Sequence, residues 1–296
     1  MRGVKKMPET YALITLYHPD PSCAENVRLI AEQTDRVFLC DNSPAASGDL
    51  FRSIANAEYL FFGENRGLSA AFNTVFRQYR DWFRPDDFIL FFDQDSTPPE
   101  GHIQKLTALF LALEQKACPV GCLGPVYFNP NTGKLKLPRV RRRLCDGVFA
   151  VESVITSSLL TRFRILEEVS FWNARCFLDM ADWDLCWRIR AAGYLCCAAE
   201  EIVLRHRLGL DVREEGAASI RRKRMAREYY QLREALCLRR QPYTPLRFRL
   251  KFFNMLTFKA AYRLLRFEDR AARFRLYQRA RRDYRAGYSG PFCDDA

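Results

Sequence analysis

Four short apolar runs near the start of the chain each stop abruptly at a polar cluster. Tyr11 to Tyr17 ends at His18-Pro19-Asp20, and Val37 to Cys40 ends at Asp41-Asn42-Ser43-Pro44. Tyr59 to Phe62 gives way to Gly63, and Phe88 to Phe92 ends at Asp93-Gln94-Asp95-Ser96. Continuous rather than alternating apolar character means strands covered on both faces, the signature of a parallel sheet between helices. Helical stretches are expected between them, over about 22–33, 68–79 and 99–115, with a fifth strand at Gly121 to Gly124. The fold class that follows is α/β: a Rossmann-like, mostly parallel sheet with helices on both faces. In such sheets ligands bind just past the carboxyl ends of the strands, where Asp41, Asn65 and the Asp93/Asp95 pair are expected.

Beyond this region, Asn129 to Arg143 is polar and basic and reads as an exposed loop. Phe149 to Leu160 is apolar with Thr156, Ser157 and Ser158 set into it. Phe177 to Gly193 reads as a helix with Gly193 as its stop signal. The net charge of +12 is unevenly placed: residues 1–209 hold 25 basic and 25 acidic side chains, whereas 210–296 hold 22 against 10. The chain therefore divides into a neutral part over 1–209 and a basic helical C-terminal extension over 210–296, which implies an anionic partner. No run reaches the roughly 18–20 apolar residues of a membrane span, and no signal-peptide pattern follows the basic start. The eleven cysteines are odd in number, sit mostly in apolar segments and form no paired C-x-x-C arrangement. They read as small reduced hydrophobes in a cytoplasmic protein.

Asp93 and Asp95, one residue apart at a strand end, can offer hard oxygen ligands to Mg²⁺ or Mn²⁺. A metal there would clamp a diphosphate leaving group. Asp41 can contact a ribose hydroxyl or base edge, but Asp-Asn-Ser-Pro is equally strong turn chemistry, and both readings stand. Gly67, after Asn65, permits close backbone approach at a loop-to-helix junction. Asp179, Asp182 and Asp184 cluster among Phe, Met, Leu and Trp. On a helix Asp179 and Asp182 would share a face, and a carboxylate in half-apolar surroundings gains the basicity of a general base. Asp184 and Arg188 have the i, i+4 spacing of an ordinary ion pair. His206, one of three histidines, would on residue chemistry alone be structural or merely exposed.

Taken in order, the Asp-Asn-Ser turn, Asn-x-Gly-x-x-x-Ala-x-Asn, Asp-Gln-Asp-Ser, the Asp-x-x-Asp-x-Asp-x-Cys-Trp-Arg segment and His206-x-x-Gly209 resemble the family 2 inverting glycosyltransferases of GT-A fold. The likeness is to the rhamnosyltransferase-like branch in particular, over about residues 10–240, including Tyr229, Tyr230 and Arg233. It implies a GT-A catalytic domain over 1–209, with a nucleotide-sugar half to about 125 and an acceptor half over 126–209. It implies that Asp41, Asn65, Gly67, Asp93 and Arg188 serve the donor, that Asp95, Asp93 and His206 hold Mg²⁺ or Mn²⁺, and that Asp182, with Asp179 beside it, is the base. His206 lies 24 residues after Asp182, where relatives carry a metal- or diphosphate-contacting histidine. Two departures stand out. Ala181 replaces the acid usual before the base, and Ser157-Ser158 replaces a Ser-Gly pair ahead of the acceptor region.

The resemblance implies a dTDP- or UDP-sugar donor, with dTDP-rhamnose favoured over UDP-galactofuranose or a UDP-hexose, and a bacterial surface glycan as acceptor. Leu246 to Arg266 interleaves Arg and Lys with aromatic and aliphatic residues at helical spacing. That pattern suits a helix lying on an anionic membrane surface, here the inner face of the cytoplasmic membrane, and it fits a lipid-linked acceptor. A nucleotidyltransferase would need a basic, Gly-rich loop after the first strand, where His18-Pro19-Asp20 stands. A nucleic-acid binder would leave the acids unexplained.

Overall fold

The structure is a computed structural model that describes residues 7–130, 132–205, 217–266 and 269–292, with the backbone alone for 217–223. The first strands are β1 (Thr10–Leu16), β2 (Arg36–Asp41), β3 (Ala57–Phe61) and β4 (Phe88–Asp93), all mutually parallel in the order β3-β2-β1-β4. Between them run α1 (Pro21–Ala31), capped by the Asp20 carboxylate on the Ser22 and Cys23 amides, and α2 (Gly67–Gln78). α3 (His102–Gln115) follows β4. These elements match the expected set to within a few residues. Continuous apolar strands have both faces buried, as Leu13, Leu39, Leu90 and Phe91 are.

The second half completes one mixed sheet. β5 (Val120–Asn129) lies parallel to the long β10 (Leu195–Arg205), and β9 (Leu159–Arg162) joins β5 to β4 by antiparallel pairing on both sides. The 129–143 stretch, expected as a loop, supplies β6 (Lys134–Lys136) and most of β7 (Val140–Cys145). β7 pairs with β8 (Val148–Val151), which pairs with β10. The arginine-rich β7 is a solvent-facing edge, where charge protects an open strand, so its polarity hid its strand character. α4 (Phe163–Glu168) follows β9, and α5 (Ala181–Ala191) precedes β10.

The helix expected from Phe177 begins four residues later, at Ala181. The segment before it is held by a distant side chain, described below, instead of by helical hydrogen bonds. The C-terminal region forms α6 (Ala217–Leu238), α7 (Leu246–Leu256), α8 (Phe258–Arg266) and α9 (Arg270–Arg285). Ala235 and Leu238 of α6 and Phe248 and Phe252 of α7 lie in the main core, with Phe248 against the rings of Trp183 and Trp187. The change of charge near residue 210 therefore does not mark the edge of the core. Ten described cysteines are free thiols, most of them buried.

Candidate active site

The β-sheet register gathers the strand-end acids. Leu16 at the end of β1 pairs with Asp41 on one side, and Thr15 pairs with Asp93 on the other. With strands about 4.8 Å apart, Asp41 and Asp93 flank the tip of β1 roughly two strand spacings from each other. Beyond the tip, the Tyr17 amide donates to Gln94 Oε1 (2.7 Å) and Gln94 Nε2 returns a bond to the Tyr17 carbonyl (3.2 Å). Asn26 Nδ2 donates to the Gln94 carbonyl (3.0 Å), so the Asp93-Gln94-Asp95 turn is braced from β1 and α1.

Asp41 is fully buried, and both its oxygens are engaged: Oδ1 accepts from the Ser43 amide (2.8 Å) and Oδ2 from the Tyr59 hydroxyl (2.5 Å). Burial, reinforced by that bond, pushes the Tyr59 phenol up to about 12. Asn65 Oδ1 caps the Gly67 amide (2.9 Å). Gly67 has φ +76°, and a Cβ there would lie 2.6 Å from both the Phe177 ring and the Phe177 carbonyl oxygen. The close approach that Gly67 permits is thus to the segment ahead of α5, where the Leu68 amide donates to that same carbonyl (2.8 Å). Six residues on, Asn73 clamps Trp172 by exchanging bonds with its backbone N–H and C=O (3.1 and 2.7 Å).

Asp93 ends β4 and accepts a hydrogen bond from the Ser157 hydroxyl. Asp95 is partly exposed two residues on. The Thr97 amide donates to the carbonyl of Arg205, the last residue of β10 (3.4 Å), so the end of that strand lies against the turn. His206, the third expected metal ligand, lies outside the described residues. Among the described residues, one group of three ligand side chains comes close enough to share an ion. It is Cys122, Cys186 and Cys196, their ligand atoms within 4.8 Å of one another in the core.

Asp182 stands in the first turn of α5 and accepts the Trp183 amide (2.7 Å). Burial, then the neighbouring Cys186, Asp93 and Asp179, hold its carboxyl well above the usual range. Asp179 precedes the helix rather than sharing a face with Asp182. Its Oδ1 accepts from Arg227 Nε of α6 (2.7 Å), and burial raises its pKa despite that guanidinium. Arg188, expected to serve the donor, is engaged within the fold. It forms the i, i+4 pair with buried Asp184 (2.7 Å) and donates to the Val169 carbonyl. Ala181, in place of the family's acid, is buried against the core.

Three contributors were not among the expected site residues. Tyr127 of β5 is buried, donates to the Ser157 carbonyl (3.2 Å), and lies within electrostatic reach of both Asp182 and Asp93. In sequence it is one aromatic in an apolar strand. Ser158 has φ +67°, the conformation glycine favours, and its hydroxyl pairs with His102 Nε2 (2.8 Å). Glu234 of α6 is buried and accepts the amides of Phe177, Leu178 and Met180 (2.8, 2.9 and 2.7 Å). Its neighbour Arg233 lies among the rings of Tyr229, Tyr230, Phe177 and Tyr288, and Tyr230 stacks on Phe177 at 4.6 Å.

A parallel sheet with carboxylates at the ends of the two strands flanking β1, facing a further carboxylate of raised basicity, has the makings of a metal-assisted group-transfer site. Comparison decides its class: residues 14–149 match the family model for Glycosyl transferase family 2. Those residues, a little under half of the chain, are similar to that family's domain. The match takes in the strand ends at Asp41 and Asp93 and the glycine turn at Gly67. No curated protein sequence matches the chain. Among solved structures, the chain is similar to the crystal structure of GalNAc-T7 with UDP, GalNAc and Mn²⁺, at a TM-score of 0.55 and 10% identity. The likeness covers 88% of this chain and 58% of the other, so the chain spans little more than half the length of that protein. At that identity the likeness concerns the fold, which is GT-A-like.

Proposed function

We propose that the chain is an inverting glycosyltransferase that moves a sugar from a nucleoside diphosphate to a hydroxyl of a glycan acceptor, with Asp182 as general base. The observation that carries this reading is the placement of Asp182 at the start of α5, within electrostatic reach of Asp93 at the end of β4, with burial raising its basicity. The acceptor oxygen attacks the anomeric carbon while its proton passes to Asp182. The bond from that carbon to the diphosphate oxygen breaks, and the electron pair leaves with the diphosphate. Attack opposite the leaving group inverts the centre.

Asp41, Asn65 and Gly67 lie on the nucleoside side, and Asp93 on the diphosphate side. Asp93 and Asp95 offer the hard oxygen donors that Mg²⁺ or Mn²⁺ prefers. His206 is assigned as a third ligand because Arg205, the residue before it, pairs with Thr97 beside that turn. When bound, the metal supplies charge stabilisation to the departing diphosphate. The resemblance to the rhamnosyltransferase-like branch points to rhamnose from dTDP-rhamnose, with UDP-galactofuranose or a UDP-hexose as the alternative, and a bacterial surface glycan as acceptor.

A thermal-shift series with dTDP, UDP and their sugars, with and without Mn²⁺, tests this on wild type and Asp95→Ala. A ligand that binds only the native state raises the midpoint. The reading requires a metal-dependent rise in wild type that Asp95→Ala loses, and the nucleobase that gives it narrows the sugar. A well-folded protein that no diphosphate stabilises under any metal condition would overturn it.

A further inference from the structure

Helices α7 and α8 each carry large apolar side chains that nothing in the structure covers. On α7 these are Leu246, Leu250 and Phe253, and on α8 they are Phe258, Tyr262 and Leu265, all between 51% and 76% exposed. Both sets follow the i, i+4, i+7 spacing, so each forms one stripe along its helix. An edge contact between Phe253 and Phe258 joins the two stripes. The opposite face of α7 is the one that holds the helix in place, with Phe248 and Phe252 packed on Trp187. The outward stripe is therefore not needed to attach α7 to the protein. Six exposed large hydrophobics in two consecutive helices exceed the scattered apolar side chains of an ordinary surface.

The charge around this face selects the occupant. Residues 246–266 contain six basic side chains and no acidic one. At about 100° per residue, Arg247 and Lys251 of α7 and Lys259, Arg263 and Arg266 of α8 fall along one flank of the stripes. Arg247 pairs with Glu152 and Arg263 with Glu228, so the outward charge rests on Lys251, Lys259 and Arg266. Lys259 and Arg266 are exposed, and Lys251 lies over the Trp183 ring at 4.6 Å. Two copies of so basic a face would repel each other, whereas an anionic lipid surface is attracted to the charges and accepts the apolar stripe among its acyl chains.

We propose that the α7–α8 face docks the protein on an anionic bilayer, with Leu246, Leu250, Phe253, Phe258, Tyr262 and Leu265 entering the headgroup–acyl boundary. No helix among the described residues is long and apolar enough to cross a membrane, so the attachment is peripheral. It places Asp182 close to the lipid: Trp183, the next residue, packs on Phe248 at 5.0 Å, so one helix separates the surface from the proposed base. An acceptor hydroxyl carried on a lipid would then arrive near Asp182. The docking face stands independently of the transfer chemistry, since it rests on exposure and charge alone.

The test is co-sedimentation of the full chain with vesicles of pure phosphatidylcholine, and of phosphatidylcholine with about 30% phosphatidylglycerol. Wild type should bind the anionic vesicles at least about tenfold more tightly than the zwitterionic ones. Leu250→Ser with Leu265→Ser should weaken that binding about tenfold with no change in unfolding midpoint, because both positions are exposed. Lys259→Gln with Arg266→Gln should weaken it and reduce its salt sensitivity. Three results would overturn the proposal: wild type left in the supernatant with anionic vesicles, serine variants that bind as tightly as wild type, or a wild-type dimer that the serine variants dissociate.

Discussion

Glu234 Oε2 accepts a hydrogen bond from the Met180 amide at 2.7 Å, two residues ahead of Asp182. Oε1 of the same carboxylate takes the Phe177 and Leu178 amides. One buried side chain from α6 thus fixes the non-helical segment that delivers Asp182 to the start of α5. Each buried amide left without a partner costs about 1–3 kcal/mol. Glu234→Ala should therefore lower unfolding free energy by about 3 kcal/mol or more in urea titrations. It should also reduce kcat below what partial unfolding explains, because Asp182 loses its placement. A variant of unchanged stability would show that the segment is held by other contacts.

The same residue should leave a signature in pH. Burial outweighs the amide donors and raises the Glu234 carboxyl from an ordinary 4.5 to about 7. A folded-state value above the unfolded one means the protonated form suits the native state. The stability it contributes is fully present below about 4.5 and is lost as pH rises through about 7, by about 3 kcal/mol at most. Glu234→Gln has nothing to titrate. Its stability should fall less than that of wild type between pH 5 and pH 8, even though its amide mismatches one backbone donor at every pH. Parallel pH slopes for the two proteins would refute the assignment.

Two aspartates three residues apart have separate tasks. Asp179 is tied to Arg227, whereas Asp182 faces Asp93 and Tyr127 with raised basicity. Asp182→Asn should cut kcat by about 10²–10⁴-fold, the usual contribution of a general base, while a nucleoside diphosphate still raises the unfolding midpoint. Asp179→Asn should act mainly on stability and KM. Because Asp182 is raised by burial, the acid limb of the kcat profile should lie above the ordinary carboxylate range. Equal losses in kcat from the two variants would assign the base wrongly here.

The elements legible in the sequence were those whose pattern is local. An apolar run such as Phe88 to Phe92 followed by Asp93 reports both a buried strand and where it ends, and α2 and α3 were visible in the same way. What stayed hidden depends on partners far along the chain. Phe177 to Met180 has helix-compatible acids and aromatics, yet Glu234, more than fifty residues later, takes its amides. Ser157 reaches Asp93 only because β9 inserts between β4 and β5. The charge imbalance after residue 210 was real, but it concealed that Glu234, Phe248 and Phe252 belong to the core. Asp41 makes the turn its motif announces, through the Ser43 bond, at the end of a strand.

Gly67 offers a sharper structural test. Its φ of +76° strains any L side chain, and an added Cβ would meet the Phe177 carbonyl oxygen at 2.6 Å, which is backbone and cannot swing away. Together these should make Gly67→Ala cost about 2–4 kcal/mol. Part of that should appear locally as faster hydrogen exchange at the Leu68 amide, which donates to the same carbonyl. An alanine variant as stable as wild type, with that amide still protected, would mean the two segments do not meet there.

Ser158 allows the strain and the hydrogen bond at one position to be separated. Its φ of +67° costs a residue with a Cβ about 1–2 kcal/mol relative to glycine. Its hydroxyl partners buried His102, whose ring burial keeps neutral by lowering its pKa to about 4. Ser158→Ala keeps the strain and loses the bond, so it should destabilise by about 1–3 kcal/mol. Ser158→Gly loses the same bond but relieves the strain, so the two terms nearly cancel and stability should stay within about 1 kcal/mol of wild type. The decisive quantity is the difference between the variants, because the lost bond is common to both. Glycine should exceed alanine by about 1–2 kcal/mol, the reverse of their order in a helix. If alanine matched glycine, the left-handed conformation at this position would have to be abandoned.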